Sequence, residues 1–542
     1  MEILAVENLS FSYPLCNEKA LDGVSFSVEK GDFVAVCGAT GSGKSTLLRL
    51  LKKETAPAGE LTGEVRYNGG CCSGGAGSIG FVMQRPEQQI VTDKVWHELA
   101  FGLENLNIPS GEIRRRVSEM ACYFGIEEWF DKSVNELSGG QKQLLNLAGV
   151  MVMQPDVLLL DEPTAQLDPI AAQEFISTVS RLNRELSLTV IIVEHRLEDV
   201  LACANKLLVL ENGGISDYAD VRTVAQNLRS KPELLKGMPA AVRLYSRFDK
   251  TCVCPITVRE GRDFIERGFK NSVRCVQGKP YVHSAAPALE FSDVFFRYSR
   301  GEPDVLRGLS FTVYEGEIFC ILGGNGSGKS TALETAARLN KIYSGSVKVF
   351  GKKLGEYKNQ SLYKGCLSML PQDVQTVFLK NTVAEELADA GAVADSLPYD
   401  LSALYERHPY DLSGGQQQLV ALAKVLASKP RLILLDEPTK GLDAHARGAI
   451  AEILKQIKAS GMTVVIVTHD AEFAAECADR CAMFFRGEIT SCDVPGGFFP
   501  SNSFYTTAAS RITRGYYDGA ITVDDVERLC RANLREEGER CL

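Results

Sequence analysis

Short runs of consecutive apolar residues recur along the chain, and each leads directly into a polar or glycine-rich stretch. Such runs occupy residues 32–38 (DFVAVCG), 156–162 (DVLLLDE) and 188–195 (LTVIIVEH). Consecutive rather than alternating apolar residues are typical of strands that are covered on both faces, as in parallel sheets. The first run enters a glycine-rich turn, and KSTLLRLL (44–51) then has the pattern of a helix start. The pattern predicts an α/β fold.

The chain contains an internal repeat, because four segments of its first half return in the same order in its second half. The four pairs are GATGSGKST (38–46) and GGNGSGKST (323–331), LSGGQ (137–141) and LSGGQ (412–416), VLLLDEPTAQLD (157–168) and LILLDEPTKGLD (432–443), and IIVEH (191–195) and VIVTH (465–469). Self-similarity of this kind indicates two copies of one architecture.

Two stretches fall outside the repeat. The first runs from about residue 215 to 287, contains thirteen Lys/Arg and seven Asp/Glu, and is broken by Pro232, Pro239 and Pro255. Its helix-like pieces favour a small folded extension with a linker over low-complexity sequence. The second stretch is the tail. We therefore predict four regions, which are a first α/β domain (1–225), an extension and linker (226–286), a second α/β domain (287–491) and a helical tail (492–542).

Composition narrows the class of protein. The 542 residues are 45% hydrophobic and 24% charged, with a formal net charge of −10, which is ordinary for a globular chain and argues against a coat for nucleic acid. Neither close cysteine pair, Cys71–Cys72 or Cys252–Cys254, has a second pair at zinc-site spacing, so we expect reduced thiols in a cytosolic protein. The sequence has no apolar run of membrane-spanning length and no secretory signal, so any membrane role requires a partner.

The pattern G-x-x-x-x-G-K-[ST] occurs in both copies, on a predicted strand, loop and helix. Its glycines let the backbone wrap a phosphate, and the N–H groups at the helix start point at it. The loop lysines are expected to reach the β- and γ-phosphates of ATP, and the serines to offer a hydroxyl to Mg²⁺. The predicted residues are Gly38, Gly41, Gly43, Lys44 and Ser45 in the first copy and Gly323, Gly326, Gly328, Lys329 and Ser330 in the second.

A pair of adjacent acidic residues ends an apolar run in each copy. Asp161 and Asp436 are expected at the carboxyl edge of the sheet beside the phosphate loop, where each can hold Mg²⁺ through water. Glu162 and Glu437 follow directly. Because successive side chains at a strand end point in different directions, each glutamate can face the attacking water and act as general base. The alternative is a solvated acidic strand end.

Two further motifs are ambiguous alone but occupy matched positions in the copies. LSGGQ precedes an apolar-periodic run, so it suits either a helix N-terminus that binds an anion or a simple helix cap. His195 and His469 each end a strand run, where a histidine is usually structural. Their repetition favours a phosphate contact for LSGGQ and a hydrogen bond to the γ-phosphate for each histidine.

The ordered set of motifs resembles the ATP-binding cassette (ABC) superfamily over about 400 of the 542 residues. The resemblance implies two tandem P-loop nucleotide-binding domains, each with a mainly parallel sheet core, an antiparallel β subdomain and a helical subdomain. It further implies that the domains bind ATP and Mg²⁺, hydrolyse ATP and pair head to tail. One ATP would lie between Lys44, Ser45, Thr46, Gln84, Asp161, Glu162 and His195 of the first copy and Ser413 and Gly415 of the second, and the other between Lys329, Ser330, Thr331, Gln372, Asp436, Glu437 and His469 of the second copy and Ser138 and Gly140 of the first.

The resemblance also assigns roles to two pairs of flanking residues. Gln84 and Gln372 match the glutamine of the family's Q-loop, which touches Mg²⁺ and relays to the transmembrane partner. Tyr13 and Tyr298 each lie 31 residues before the loop lysine and resemble the aromatic residue that stacks on adenine, with core packing as the alternative. Neither copy departs from the family's catalytic pattern, so we expect two working sites.

The sequence after Gln84 is similar to the ATPases of energy-coupling factor (ECF) transporters, which carry Q-x-P-[DE]-x-Q, an acidic helix and AFGLEN. The matching residues are Gln84, Pro86, Glu87, Gln89 and Ile90, and ELLKGMPAAVRL (233–244) and SFYTTAASR (503–511) also look like that group. The similarity implies a peripheral ATPase on the cytoplasmic face of the membrane. It would power uptake of a vitamin, a vitamin precursor or a metal ion through a transmembrane coupling subunit and a substrate-binding membrane subunit, without nucleic acid.

The second copy differs in this region, and two other classes stay open. Its PQDVQTVF (371–378) lacks the ECF motif, so we expect the two copies to couple unequally. A ribosome-associated double-cassette factor usually has a long, charged, helical linker, whereas residues 215–287 are mildly basic and broken by prolines. The duplicated ATPase of a sugar importer usually has one degraded site, whereas LSGGQ is intact twice here.

Overall fold

The computed structural model describes residues 1–14, 18–68, 70–71, 78–248, 252–269, 285–358, 360–391, 399–517 and 519–533. The chain divides into two units, residues 1–239 and 240–542, which are described one at a time. The domain limits expected at residues 225, 286 and 491 stay predictions. The side chains of the Cys71–Cys72 pair lie outside the described residues, and the other described cysteines are free thiols.

The strands of the first unit form two sheets. They are β1 (Glu2–Ser12), β2 (Leu21–Glu29), β3 (Phe33–Cys37), β4 (Glu60–Tyr67), β5 (Gly70–Cys71), β6 (Ile79–Val82), β7 (Val157–Asp161), β8 (Thr189–Val193), β9 (Lys206–Glu211) and β10 (Gly214–Asp220). The order β2-β1-β4-β5 gives an antiparallel sheet, and the order β10-β9-β3-β8-β7-β6 gives a second sheet. In the second sheet β10 is antiparallel to β9 and the other neighbours are parallel.

Continuous apolar sequence puts β3, β7 and β8 in the middle of the core, where every residue of the three strands is buried. Val193 of β8 lies beside Val36 of β3 on one side and beside Asp161 of β7 on the other. The carboxyl ends of the three strands therefore meet at one edge. Ligands of α/β sheets bind at such an edge, and the phosphate loop, the acidic pair and His195 all follow from it.

The helices of the first unit cover the sheet and build a separate helical layer. They are α1 (Lys44–Leu50), α2 (Val95–Asn105), α3 (Ser110–Phe124), α4 (Gly139–Met151), α5 (Pro169–Leu186), α6 (Leu197–Val200), α7 (Val221–Asn227) and α8 (Pro232–Leu235). Helices α2, α3 and α4 pack on one another. Helix α5 begins where the side chain of Asp168 accepts the N–H of Ala171 and Pro169 occupies the first turn, which is a favoured helix start.

The second unit repeats the two sheets. Its strands are β11 (Pro287–Phe296), β12 (Leu306–Tyr314), β13 (Ile318–Leu322), β14 (Ser344–Val349), β15 (Lys352–Lys353), β16 (Leu367–Leu370), β17 (Leu432–Asp436), β18 (Thr463–Thr468), β19 (Arg480–Phe485) and β20 (Glu488–Asp493). The orders β12-β11-β14-β15 and β16-β17-β18-β13-β19-β20 match those of the first unit. The predicted fold class, with a mainly parallel core, an antiparallel sheet and helices in each copy, is confirmed.

The helices of the second unit include a layer that the repeat did not predict. They are α9 (Ala240–Ser246), α10 (Val258–Gly268), α11 (Lys329–Ala336), α12 (Val383–Asp389), α13 (Gly414–Ala427), α14 (Ala444–Ala459), α15 (Ala471–Cys477), α16 (Pro495–Ser501), α17 (Ala508–Thr513) and α18 (Val523–Ala532). Helices α9 and α10, from the stretch after the first copy, pack on α17 and α18 of the tail. We call residues 240–269 and 508–533 together the tail module. None of the helices in the described ranges combines the length and the hydropathy of a membrane span.

Candidate active sites

Each phosphate loop turns from the end of a central strand into a helix through glycines, some of which have conformations or close contacts that a side chain would disturb. Gly43 and Gly328 precede α1 and α11 with φ of 99° and 106°, a left-handed conformation that glycine adopts at little cost. A Cβ on Gly43 would lie 2.4 Å from the carbonyl oxygen of Ala20, and one on Gly38 would lie 2.2 Å from that of Leu210. The glycines therefore allow both the turn and the close approach of neighbouring backbone.

The loop lysines close over the loop that carries them. Lys44 Nζ donates to the carbonyl oxygens of Gly38 and Ala39, both at 2.8 Å. Lys329 Nζ makes the same two bonds, at 2.9 and 2.8 Å, to Gly323 and Gly324. Both lysines are buried, so each ammonium group lies inside the loop, where it can meet a phosphate.

The loops also contain polar atoms that the described residues leave unsatisfied. The buried Oγ atoms of Ser42 and Ser327, at the same position of each loop, have no hydrogen-bond partner there. Buried hydroxyl groups are rarely left without one. Two orphaned hydroxyls at matched positions fit a phosphate group in each loop.

The aspartate that ends each strand lies against the loop serine. Ser45 Oγ donates to Asp161 Oδ1 at 2.9 Å, and burial raises the pKa of Asp161 in spite of that bond. Burial likewise raises the pKa of Asp436 to about 6, opposed by a hydrogen bond from Ser330. Asp436 Oδ1 is buried and has no hydrogen-bond partner among the described residues. Hydroxyl and carboxylate oxygens are the ligands that Mg²⁺ prefers, so both pairs fit that ion.

The glutamates that follow have an uncommon backbone conformation. Glu162 and Glu437 have φ of 45° and 50°, in the left-handed region that non-glycine residues seldom occupy. Their N–H groups bond to Val193 O at 3.0 Å and Val467 O at 2.8 Å, so the neighbouring strand fixes the turn. Strain of this kind, about 1–3 kcal/mol per residue, is typical of functional sites.

Different side chains hold the two glutamates. In the first unit Gln84 Nε2 donates to Glu162 Oε2 at 2.6 Å, and His195 Nε2 lies 2.8 Å from Glu162 Oε1. The carboxylate of the predicted base is therefore bound on both oxygens, by the predicted Q-loop glutamine and the predicted histidine. Within the first unit the structure therefore brings together the predicted phosphate loop, acidic pair, Q-loop glutamine and histidine.

In the second unit the contacts reach one oxygen of Glu437, Oε2, which also accepts the N–H of His469 at 3.4 Å. His469 Nδ1 lies 2.8 Å from Glu437 Oε2, and Thr468 Oγ1 donates to that oxygen at 3.3 Å. Burial raises the pKa of Glu437, but His469 and Lys329 outweigh burial, so the pKa is lowered. Gln372 is exposed and, among the described residues, makes no hydrogen bond to Glu437. The two sites have the same residue types in different hydrogen-bond networks.

A third carboxylate lies in the first site, and sequence reasoning missed it. Glu194 Oε1 accepts hydrogen bonds from Thr164 N at 2.9 Å and Thr164 Oγ1 at 2.7 Å. Burial raises the pKa of Glu194 to about 7, and the charge of Glu162 adds to the rise. The second copy has Thr468 at this position. The available signal was a carboxylate within an otherwise apolar strand run, immediately before His195.

Each LSGGQ motif begins a long helix. The Oγ atoms of Ser138 and Ser413 accept the N–H groups of Gln141 and Gln416, both at 3.3 Å, in capping boxes at the starts of α4 and α13. A Cβ on Gly140 or Gly415 would meet only ordinary side-chain contacts, at 3.7 and 3.6 Å. Packing within a unit therefore does not require these glycines. Pairing of each motif with the loop of the other copy involves both units and stays a prediction.

The two predicted adenine-stacking tyrosines lie beside the phosphate loops. Tyr13 OH and Tyr298 OH are each 2.9 Å from the Oγ1 atom of the loop threonine, Thr46 and Thr331. Tyr298 is 59% exposed, which excludes core packing for it. Tyr13 is partly buried against the core of the first unit, so the two interpretations of its ring both stay open.

Comparison with known proteins agrees with this geometry. The family model described as ABC transporter matches residues 21–165 and 306–440. A provisionally named ABC transporter ATP-binding protein of Bacillus anthracis is 39% identical over 98% of both chains. The provisionally named HMP/thiamine import ATP-binding protein YkoD of Bacillus subtilis is 32% identical over 88% of this chain and 89% of its own.

Solved structures match as well. The cassette cbiO1 of Clostridium perfringens, part of the ABC transporter complex cbiONQ, is 30% identical, covers 42% of this chain and 95% of its own, and has a TM-score of 0.38. An archaeal ribosome recycling factor, aABCE1, is 19% identical, covers 91% of both chains, and has a TM-score of 0.60. The second match is one of fold alone.

Proposed function

This chain belongs to the ABC transporter family of ATP-binding proteins, and from that premise we propose that it is the ATPase subunit of an ECF-type importer. As a member of the family it binds and hydrolyses ATP. The proposal concerns what the hydrolysis drives. The solute would be a vitamin, a vitamin precursor or a metal ion, and it would cross the membrane through separate transmembrane and substrate-binding subunits.

The residues of each site support hydrolysis by an activated water. Glu162 or Glu437 takes a proton from water, the water oxygen bonds to the γ-phosphorus, and the bond from that phosphorus to the bridging oxygen breaks, leaving ADP and inorganic phosphate. His195 and His469 hold the base in place. Ser45, Gln84 and Asp161 would hold Mg²⁺ in the first site, and Ser330 and Asp436 would hold it in the second, where Gln372 is exposed. The ion would supply positive charge to the β- and γ-phosphates.

The observation that carries the transport proposal is an exposed apolar residue after each Q-loop. Val91 is 67% exposed and Leu379 is 78% exposed, and each lies seven residues after its Q-loop glutamine. Glu98 Oε2 accepts the N–H groups of Val91 and Thr92, at 3.1 and 2.8 Å. Single exposed apolar residues are common on protein surfaces, but their recurrence at matched positions after both Q-loops suits contact with a membrane-subunit helix.

Glu386 supports the same feature in the second copy. Its Oε1 atom accepts the N–H groups of Leu379 and Lys380, as Glu98 does for the equivalent residues of the first copy. In both loops a glutamate therefore binds two backbone N–H groups while the apolar side chain remains exposed to solvent. A rigid loop with one exposed anchor loses little entropy on binding.

The ECF-like motif of the first copy connects this surface to α4. Asn146 Nδ2 donates to Pro86 O at 3.3 Å, Lys142 Nζ lies 3.6 Å from Glu87 Oε1, and Gln143 Nε2 donates to Met83 O at 3.3 Å. Because α4 begins at the LSGGQ motif, movement of a docked membrane helix would reach the predicted ATP contact directly. The exposed Trp96 extends this surface, and Ala384 has its place in the second copy.

The relative YkoD supports the class of solute, since its name gives it a role in HMP/thiamine import. The proposed location is the cytoplasmic face of the membrane, reached only through partner subunits. In the proposed assembly the two cassettes pair head to tail, with Ser413 and Gly415 at the first ATP and Ser138 and Gly140 at the second.

Membrane recruitment tests the proposal. We expect the chain to co-purify from cells with a small multi-span membrane protein and to fractionate with membranes. Val91→Asp together with Leu379→Asp should release it into the soluble fraction while ATP hydrolysis by the purified chain is retained. Val253→Asp is the matched control, because Val253 is 70% exposed and lies outside both loops. Equal membrane association of the double variant and the control, or co-sedimentation of the wild-type chain with ribosomes, would refute the proposal.

A further inference from the structure

The two segments of the tail module are copies of one another. AAVRL (240–244) corresponds to AASRI (508–512), and ITV (256–258) corresponds to ITV (521–523). Thr257 Oγ1 accepts the N–H of Glu260 at 3.2 Å to start α10, and Thr522 Oγ1 accepts the N–H of Asp525 at 3.1 Å to start α18. The internal repeat therefore extends beyond the cassettes, and each copy ends in the same pair of helices.

These matched segments pack on each other in the second unit. Helix α10 of the first segment lies on α17 of the second, α9 lies on α18, and α9 meets α17. Gly261 of α10 is so close to both neighbours that a Cβ would lie 3.1 Å from Ala241 Cβ and 3.1 Å from Ile512 Cδ1. Helix α9 corresponds to α17 and α10 corresponds to α18. The contacts of α10 with α17 and of α9 with α18 are therefore equivalent, as in the self-complementary interface of a two-fold dimer. The apolar core by itself would also suit two like segments.

The charges at the edge of this core are not alike in the two segments. Arg247 of the first segment lies 3.1 Å from Asp524 Oδ1 and 3.1 Å from Glu527 Oε2 of α18. Arg531 donates to Glu527 Oε1 at 2.8 Å and to Arg247 O at 3.1 Å. Its guanidinium also lies over the ring of Phe248, 5.3 Å from the centroid.

The reciprocal edge uses different residues. Tyr516 of the second segment, which corresponds to Phe248, donates its hydroxyl to Glu266 Oε1 at 2.6 Å. The guanidinium of Arg262 lies 5.7 Å from the centroid of the Tyr516 ring. Arg262 corresponds to Glu527, and Glu266 corresponds to Arg531, so the order of the two charges along the helix is reversed between the segments.

Replacing each residue by its counterpart shows what two like segments would meet. In a pair of first segments, Arg247 would face Arg259 and Arg262, which occupy the positions of Asp524 and Glu527. In a pair of second segments, Gly515 would stand in the position of Arg247 and offer no cation to the two carboxylates. Like charges placed together disfavour a complex, and complementary charges select a partner.

We propose that these charges form a pairing code, by which the segment after the first cassette pairs with the segment after the second cassette of the same chain and not with a like segment of another chain. The tail module contacts helix α15 of the second unit, where Ala508 N donates to Glu472 Oε1 at 2.7 Å. Helix α15 begins two residues after His469.

Hydrogen exchange of the full-length protein measures the pairing directly, since local opening sets the exchange rate. We expect Asp524→Asn with Glu527→Gln to speed exchange in α10 and α18 about threefold, and Asp524→Arg with Glu527→Arg about tenfold, because the second variant adds repulsion to lost attraction. Adding Arg247→Glu to the arginine variant should return exchange to within about twofold of wild type. The gap between the neutral and reversed variants should shrink in high salt.

Arg528→Glu is the control, since Arg528 is exposed and pairs with Asp525 in its own helix. Hydrogen exchange in α10 and α18 of this variant should match that of wild type. Exchange in β3 and β13 shows in every variant whether the cassettes are folded. A reversed variant no faster than the neutral one, or a swap that fails to restore protection, would overturn the code. So would a wild-type dimer, seen by light scattering, that disappears in Asp524→Arg with Glu527→Arg, because the same charges would then pair two chains.

Discussion

The two candidate sites have the same motifs but differ in how the predicted base is held. In the first site Glu162 has a glutamine on one oxygen and a histidine on the other, and a further buried carboxylate, Glu194, lies within electrostatic range. In the second site Glu437 has its histidine and a threonine on a single oxygen. A full set of motifs therefore specifies the residue types of a site but not the hydrogen bonds that hold its glutamate. Three experiments test whether this difference affects hydrolysis and stability.

Removal of the two bases should have the largest effect. We expect Glu162→Gln and Glu437→Gln each to trap ATP and stop turnover at its own site, and the double variant to lose about 10²–10⁴-fold in steady-state hydrolysis, the range for a lost general base. Measurements on the assembled complex with each single variant check both sites. Wild-type turnover in Glu437→Gln would show that the second site does not contribute, and the sites would then differ in kind.

Glu194→Gln should separate the sites by pH. The pKa of Glu194 in the folded chain, about 7, lies above its ordinary value of 4.5. Between these pH values the folded state binds a proton that the unfolded state releases, so wild-type stability falls as pH rises through the window. We expect the variant to gain on the order of 2–3 kcal/mol in free energy of unfolding over wild type at pH 8, and little at pH 5.

The first unit has its own reporter for this measurement. Both tryptophans of the chain, Trp96 and Trp129, lie in it, so tryptophan fluorescence during urea unfolding follows that unit alone. Glu233→Gln is the control, because Glu233 is exposed and pairs with Lys236 on the surface. A gain of the same size at pH 5 and pH 8 would contradict the role of ionisation.

The Q-loop glutamines should give the smallest difference. Gln84→Ala removes a 2.6 Å hydrogen bond to Glu162, and a bond to a charged group contributes enough to change a rate about tenfold. Gln372→Ala, at an exposed residue, should change the rate of its own site less than about twofold. Each variant is measured in a chain whose other site is silenced by Glu437→Gln or Glu162→Gln. Equal losses would mean that the two networks become alike once ATP is bound.

Sequence motifs predicted much of this structure, because their chemistry demands particular residue types. Gly43 and Gly328 could be placed from the phosphate-loop pattern, since only glycine suits a left-handed turn against neighbouring backbone. The parallel core followed from apolar runs such as β7 and β8. The location of Asp161 beside Ser45 followed from both together.

Other features depend on contacts that the sequence does not record. Gln84 bonds to Glu162, and no equivalent bond from Gln372 occurs among the residues that the structure describes; both depend on the path of each Q-loop. Glu194 is visible in the sequence as a carboxylate next to an apolar run, but the sequence does not show that its side chain is buried against Thr164. The repeat in the tail module is hard to find in the sequence because it is short and contains a gap. Ala240 lies 268 residues before its counterpart in the second segment, whereas Thr257 lies 265 residues before its own.

The left-handed backbone at Glu162 and Glu437 creates a conflict between the stability of the fold and the proposed hydrolysis. Glycine at either position would relax the backbone strain and remove the base in the same step. Laboratory evolution that selects for thermal stability alone would therefore enrich glycine at these two positions, and the selected chains would be inactive. Stabilising substitutions outside the two sites carry no such conflict, whereas at these two positions a gain in thermal stability would come with a loss of turnover.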